Sequence, residues 1–500
     1  MHVPFADLRD AIASLGVPVV RLVTDSREIM SGDTFLAYPG ECADGRRFIP
    51  QAIAQGANAV IWEAEHFEWN SAWSVPNFAL RDLRHHAGVL AHEVYGRPTE
   101  KLRMVGVTGT NGKTSSSHWL AKAFNDAGQK CAVIGTLGNG FPGALQASAN
   151  TTPDAVKVHG LCAEYLQAGA QAVAMEVSSH ALAQGRVNGV QFDVALLTNL
   201  SRDHLDYHGD MESYASSKRK LFHWETLRSV VLNLDDPYGA DLAETLSGGS
   251  PEIIGYGMSD AALRRAERLG LRMVHGHLLG LSAQGLTLQL HSSWGRAQLQ
   301  SSLVGRFNAA NLLGVMAVLL ASDISLEQAV DSLSRVEPVA GRMQRLGGDG
   351  KPTVIVDYAH TPDALEKVLT TLEELSHADG GRLFCVFGCG GDRDRGKRPM
   401  MGRVATLFAD HCIVTSDNPR NEMPEAIITE ILAGIEGDNF KVEPDRGTAI
   451  ARAISTAGAR DTILLAGKGH ESYQEVAGQR LPFSDVETAA RALQSWRTLA

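Results

Sequence analysis

Two groups of residues in this chain carry chemistry by type and spacing. The first runs Gly106-Val-Thr-Gly109-Thr110-Asn111-Gly112-Lys113-Thr114-Ser115, between the apolar run LRMVGV and the helix-like SSSHWLAKAF. Small residues there let backbone N–H groups approach a phosphate, a helix N-terminus adds positive potential, and Lys113 adds a point charge. Thr114 offers a hydroxyl for Mg²⁺. The usual nucleotide loop puts four residues between its first Gly and the Gly-Lys pair, and from Gly106 this chain has one more. A bland glycine turn has no use for the Lys-Thr ending, so a phosphate-binding loop is expected. In the second group the apolar run AQAVAM ends at Glu176, a carboxylate placed to hold Mg²⁺ directly or through water. After a further apolar run, DVALLTNL, the segment SRDHLDYHG gathers Asp203, His204, Asp206 and His208. No Cys joins them and no HExxH spacing occurs, so an oxygen-rich Mg²⁺ shell is expected rather than zinc. Lys218 and Lys220 in YASSKRKLF read, by themselves, as the charged face of a helix.

Positioning these groups requires several layers of structure. Five hundred residues call for about three domains. Apolar residues at 44% and charged residues at 21% fit an ordinary globular protein and exclude disorder, collagen and coiled coil. No apolar run is long enough to span a membrane, and MHVPFADLRD lacks a signal-peptide core, so a cytoplasmic location is expected. Six scattered cysteines form no disulfide framework. A net charge of −11 excludes a nucleic-acid wrapper while allowing a local basic pocket. The expected fold is α/β in three domains: residues 1–98, a central 99–336 built on a parallel sheet, and 337–500. Near 286–303, TLQLHSSWGRAQLQSSL alternates apolar with polar residues, as an antiparallel ribbon does. RVEPVAGRM reads as the linker into the third domain, where PTVIVDYAH, RLFCVFGCGG, HCIVTSDNPR and DTILLAGKGHE are strands running into polar turns. Ligands of open α/β sheets sit at such strand ends.

The ordered motifs GTNGKT, EVSSHAL, NLSRDHLDYHG, GRFNAANL, DYAHTPDAL and GKGHE resemble the Mur ligase family, which forms peptide bonds in peptidoglycan synthesis using ATP. The resemblance covers nearly the whole chain. TDSREI, ADGRRFIPQAIAQGA, NTTPD and DNPR are similar to members that add the third stem-peptide residue, and DNPR to those adding diaminopimelate. It implies an N-terminal UDP-binding domain, a central ATP-binding domain and a Rossmann-like C-terminal domain that brings the amino acid. The implied substrates are UDP-MurNAc-L-Ala-D-Glu, meso-diaminopimelate and ATP, joined through an acyl phosphate by a monomer. Folylpolyglutamate synthases share the phosphate loop, but TDSREI, ADGRRF and DNPR fit them poorly.

Residue roles follow from the same resemblance. Gly109, Thr110, Asn111, Gly112, Lys113, Thr114, Ser115, Asn308, Arg342 and Asp357 would bind ATP, with Asn311 beside Asn308. Lys113, Glu176, His204 and Lys218 would be catalytic. Thr114, Glu176, His204 and Lys218 would surround Mg²⁺, Lys218 as a CO₂-derived carbamate (N6-carboxylysine); only a neutral amine reacts with CO₂, so its site must favour that form. Ser26, Glu41, Cys42, Ala43, Asn150, Thr151, Thr152, Ser178, Gln184 and Arg186 match positions holding the UDP-dipeptide, although the family often has His-Gln-Ala where this chain reads Glu41-Cys42-Ala43. Arg393, Asp417, Asn418, Pro419, Arg420, Gly467 and Glu471 match the diaminopimelate pocket. There Arg420 would take the distal carboxylate and Glu471 the distal ammonium; L-lysine would leave Arg420 without an anion, at a cost of roughly 2–5 kcal/mol.

Overall fold

The computed structural model describes residues 10, 12–41 and 43–496. Its first section is a four-stranded parallel sheet, in order Leu22–Val23, Thr34–Ala37, Ala59–Glu63 and Asn77–Leu80. Helix Leu83–Val94 packs its buried Leu83, Ala87, Leu90 and Ala91 into one of that sheet's two cores. It stops at Gly96, which takes a φ of +74°, with Pro98 following.

The central sheet has eleven strands. From one edge they run Gly295–Ser301, Gly285–Ser292, Arg272–Ser282, Glu252–Gly257, Ser229–Asn233, Val194–Leu197, Arg103–Thr108, Ala172–Glu176, Cys131–Gly135, Gly138–Phe141 and Ala144–Gln146. The middle strands, from Arg272–Ser282 through Cys131–Gly135, pair in parallel. Side chains of a strand alternate between faces, and here the alternation feeds two cores. Val105, Val107, Val133 and Leu196 join one; Met104, Ile134, Ala195 and Leu197 join the other. Burial on both faces explains why these strands read as continuous apolar runs. The expected ribbon forms from Gly285–Ser292 and Gly295–Ser301, continuous with the main sheet through Arg272–Ser282. A second antiparallel addition at the opposite edge, Gly138–Phe141 with Ala144–Gln146, carried no alternation signal because glycines fill it.

The third section is a six-stranded sheet in order Gln344–Gly347, Thr353–Asp357, Thr462–Ala466, Leu383–Phe387, His411–Val414 and Phe440–Val442, parallel except for its first strand. The linker is anchored on the central section where Trp119 Nε1 donates to Glu337 O at 3.0 Å.

Strand order reverses around Arg103–Thr108. The next strand in the chain, Cys131–Gly135, lies two places away, and Val194–Leu197 lies on the other side. The crevice at such a reversal opens at the strand carboxyl ends, where Gly109–Gly112, Glu176 and Thr198 lie.

Candidate active site

The loop after Arg103–Thr108 turns through Gly109 (φ +146°) and Gly112 (φ +87°) into helix Lys113–Asp126. Gly112 is required twice over. Its backbone is left-handed, and a Cβ would lie 2.5 Å from Asn311 Oδ1. Thr110 Oγ1 accepts from Ser201 N at 2.9 Å and lies 3.1 Å from the Tyr214 hydroxyl. Asn111 N donates to Asn199 Oδ1, and its Nδ2 donates to Asp363 Oδ2 at 3.1 Å, joining the loop to the third section. Lys113 Nζ donates to Gly109 O and Thr110 O, both at 2.8 Å. Burial pushes its ammonium below the ordinary lysine value. Ser115 is buried in the first helical turn.

Glu176 ends its strand completely buried. Its Oε2 accepts from Thr114 Oγ1 at 3.0 Å and Thr136 Oγ1 at 3.1 Å, and its Oε1 from Thr136 N at 2.8 Å. These donors are neutral groups, and the carboxyl group sits directly beside a hydroxyl oxygen. That is a hard-oxygen donor pair fitting Mg²⁺. Arg342 Nη2 reaches the same Thr114 hydroxyl at 3.2 Å, and its guanidinium lies 4.4 Å over the Tyr358 ring. Among the described residues, no cluster of three or more His, Cys, Asp or Glu side chains forms a metal site. Asp206 is exposed, and His208 Nε2 lies 3.0 Å from Ser179 Oγ.

His204 sits at φ +56°, its Nε2 3.2 Å from Asp203 Oδ2. Burial holds the imidazole well below its ordinary value. Burial alone would raise Asp203, but His360, His204 and Lys397 outweigh it and hold the carboxyl well below 3.8. His360 and Lys397 come from the third section, at 3.6 and 4.0 Å. Asp203→Asn is therefore expected to destabilise the protein at pH 7 by about 3 kcal/mol. Because the folded-state value is lowered, the stabilisation is complete above the ordinary carboxylate value and is lost as pH falls from there through the lowered folded-state value. Thermal melts should show the gap to wild type closing below pH 3.8; a gap unchanged down to about pH 3 would contradict this.

Lys218 does not lie on a solvated helix face. It is 1% exposed, its Nζ donates to Gly109 O at 2.9 Å, and it sits 4.6 Å over the Tyr214 ring. Burial, reinforced by the charge of Lys113, drives its ammonium well below the ordinary lysine value. Lys220, by contrast, is exposed on that helix.

A cavity of about 770 Å³ opens over the loop, lined by Lys113, Glu176, Asn308, Asn311, Arg342 and Asp357 among others from both sections. Asn308 Nδ2 donates to Val304 O at 2.8 Å, a tie across the start of helix Arg306–Ala321, rather than capping it. Asp357 accepts from Met343 N and Ala359 N, both at 2.8 Å.

Toward the first section, Thr152 Oγ1 donates to Glu176 O at 2.8 Å and accepts from Ser178 N at 3.1 Å. Arg186 Nη1 donates to Thr152 O at 3.0 Å. Thr151 Oγ1 lies 3.1 Å from Thr136 Oγ1, and Asn150 O accepts from Ser148. The helix cap here is Asp154, which leaves the Thr pair free of that duty. Glu41 takes Arg84 Nη2 and the Tyr207 hydroxyl, each at 3.1 Å, and Tyr207 also receives Gln184 Nε2 at 3.2 Å. Glu41 thus joins the first section to the central one, a link no local pattern announced. Ser26 Oγ donates to Gln51 Oε1 at 3.2 Å, and Ala43 O accepts from Gly40 N. Cys42 lies outside the described residues.

In the third section, Asp417-Asn418-Pro419-Arg420 follows strand His411–Val414 and faces the loop after Thr462–Ala466. Gly467 N donates to Asp357 O at 3.1 Å, and a Cβ on Gly467 would lie 2.5 Å from Asp417 Oδ2. Asn418 Nδ2 donates to Glu471 Oε2 at 2.8 Å. Arg420 is left-handed (φ +53°), and its Nη1 donates to Gly391 O at 2.7 Å. Arg393 is exposed and its Nη1 donates to Asp392 O. One expectation changes here: Arg420 already has an anion, since its Nε lies 3.3 Å from Glu475 Oε2. Hairpin Tyr473–Val476 with Gln479–Pro482 delivers Glu475, whose main chain pairs with Arg420. A ligand lacking a distal carboxylate therefore leaves Arg420 partnered, and the expected penalty shrinks.

Descriptions of the Mur ligase middle domain, the Mur ligase glutamate ligase domain and the Mur ligase catalytic domain match residues 107–319, 341–469 and 19–95. The UDP-N-acetylmuramoyl-L-alanyl-D-glutamate--2,6-diaminopimelate ligase of Chromobacterium violaceum is 51% identical, covering 97% of this chain and 96% of its own. Its namesake from Nitrosomonas europaea is 49% identical over 96% and 94%. A solved structure of a ligase with the same name superposes with a TM-score of 0.66 at 36% identity, covering 96% of this chain and 95% of the other. On this similarity, and on a phosphate loop that closes against the third of three α/β sections, the chain belongs to the Mur ligase family.

Proposed function

We propose that this chain is the ATP-dependent ligase that joins meso-diaminopimelate to the D-glutamate γ-carboxylate of UDP-MurNAc-L-Ala-D-Glu. The observation that carries this reading is 51% identity, over nearly the full length, to a ligase named for that reaction. The Asn418–Glu471 pair beside Arg420 supports the choice of amino acid. Residues 1–98 take the UDP end, 99–336 the ATP and 337–500 the amino acid. A reaction drawing on ATP and a nucleotide-linked substrate would run in the cytoplasm. No helix among the described residues is long and apolar enough to cross a membrane.

A carboxylate is a poor acyl donor at neutral pH, so activation precedes attack. The γ-carboxylate attacks the γ-phosphate, ADP leaves, and the diaminopimelate amine displaces phosphate from the acyl phosphate while losing its proton. Catalysis is then mostly positioning and charge neutralisation. Gly109, Thr110, Asn111, Gly112 and Ser115 would offer backbone and hydroxyl donors to the phosphates. Lys113, released from its two loop carbonyls, would bond the transferred group. Asn308, Arg342 and Asp357 would hold the nucleoside side. Thr114, Glu176, His204 and Lys218 as its carbamate would hold Mg²⁺, which supplies charge neutralisation between the phosphates. Thr152, Ser178 and Arg186, with Ser26, Glu41, Ala43, Asn150, Thr151 and Gln184, would align the UDP-dipeptide. In an assay of ADP and phosphate release, all three substrates should be required together, with product mass equal to the UDP-tripeptide. Equal phosphate release without the UDP-dipeptide would contradict the reading.

A further inference from the structure

Resting on that reading, we infer that Lys468 is a positioning residue for the incoming amino acid, setting Asn418 and Glu471, of which Glu471 receives the distal ammonium. Lys468 is the second residue after the interior strand Thr462–Ala466, between Gly467 (φ +113°) and Gly469 (φ +54°). Its side chain is fully buried. Lysine is rarely buried without a partner, and this ammonium has two. It donates to Asn418 Oδ1 at 3.0 Å and to Glu471 Oε2 at 2.9 Å, with the Tyr473 ring 5.7 Å away.

The same three groups close a triangle, because Asn418 Nδ2 donates to that Glu471 oxygen at 2.8 Å. An Asn side chain offers one acceptor and one donor end. Lys468 takes the acceptor end, with Glu475 N also donating to it at 2.9 Å, and this fixes which way the amide faces. The ammonium and the amide both engage Glu471 Oε2, which leaves Oε1 to meet a ligand ammonium. Glu475 is in turn the residue paired with Arg420. Lys468 thus ties the loop after one strand to the Asp417–Arg420 loop through side chains facing the amino acid, not through backbone alone.

The test is steady-state kinetics of the full-length enzyme with each substrate varied in turn. Lys468→Met keeps the stem and removes the charge and the donors. It should raise KM for meso-diaminopimelate at least tenfold and leave KM for ATP and for the UDP-dipeptide within twofold. If melting shows that this variant does not fold, Lys468→Gln, which keeps one donor, carries the same expectation. An unchanged diaminopimelate KM, or three KM values rising together, would overturn the inference while wild-type turnover of diaminopimelate leaves the proposed reaction intact. A wild type that turns over no diaminopimelate would overturn both.

Discussion

Lys218→Ala is expected to lower ligation by about a thousandfold, an effect of the size seen when a preorganised electrostatic contact to the reacting centre is removed. Lys218 is buried against Gly109 O, at the root of the phosphate loop, and both burial and Lys113 favour its neutral amine. A neutral amine in that place would add CO₂ and release a proton, giving a carbamate anion that balances Lys113. An unmodified ammonium there would instead repel Lys113. High bicarbonate should rescue nothing in Lys218→Ala, since the amine is gone. A short-chain carboxylic acid should restore part of the rate by placing a carboxylate in the vacated volume. Intact mass of active wild-type enzyme should show the added CO₂; an active enzyme with unmodified Lys218 would remove the carbamate from the account.

Arg420→Ala is the second large effect, an expected loss of about a hundredfold in kcat/KM for meso-diaminopimelate with KM for ATP within twofold. A guanidinium offers a planar fork to a carboxylate, and this one is held by Gly391 O and by Glu475, 19% exposed. Its left-handed backbone strains any Ala placed there. Arg, Lys and Ala share that left-handed strain, so Arg420→Lys, which keeps the charge and a long side chain, isolates the loss of the planar fork. It should also lose most of its diaminopimelate efficiency, because an ammonium cannot bond the carboxylate through a fork. Equal loss for ATP and diaminopimelate in both variants would place Arg420 in folding rather than in recognition.

What was legible in the sequence was local. The phosphate loop survived one extra residue because its requirements are small side chains, a helix start and a Lys-Thr ending, all contiguous. Glu176 was visible as an acid closing an apolar run, and the ribbon as alternation. Lys218 was not visible by itself, since a Lys in YASSKRK looks like any helix charge until the Tyr214 face closes over it. Long-range pairings were hidden for the same reason. Glu475 with Arg420, Lys468 with Asn418, and Asp363 with Asn111 each join residues far apart in the chain, so no local spacing marks them. The Glu475 pairing is also what makes discrimination milder than Arg420 alone suggested. Loss of a charge-assisted bond, rather than of a lone buried charge, costs about 1.5–3 kcal/mol.

The measurement closest to the central claim is wild-type kcat/KM for meso-diaminopimelate and for L-lysine under identical ATP and UDP-dipeptide. The two differ by the carboxylate that Arg420 would bind. Diaminopimelate should be favoured about 10- to 100-fold or more, and comparable values for the two amino acids would contradict recognition by Arg420.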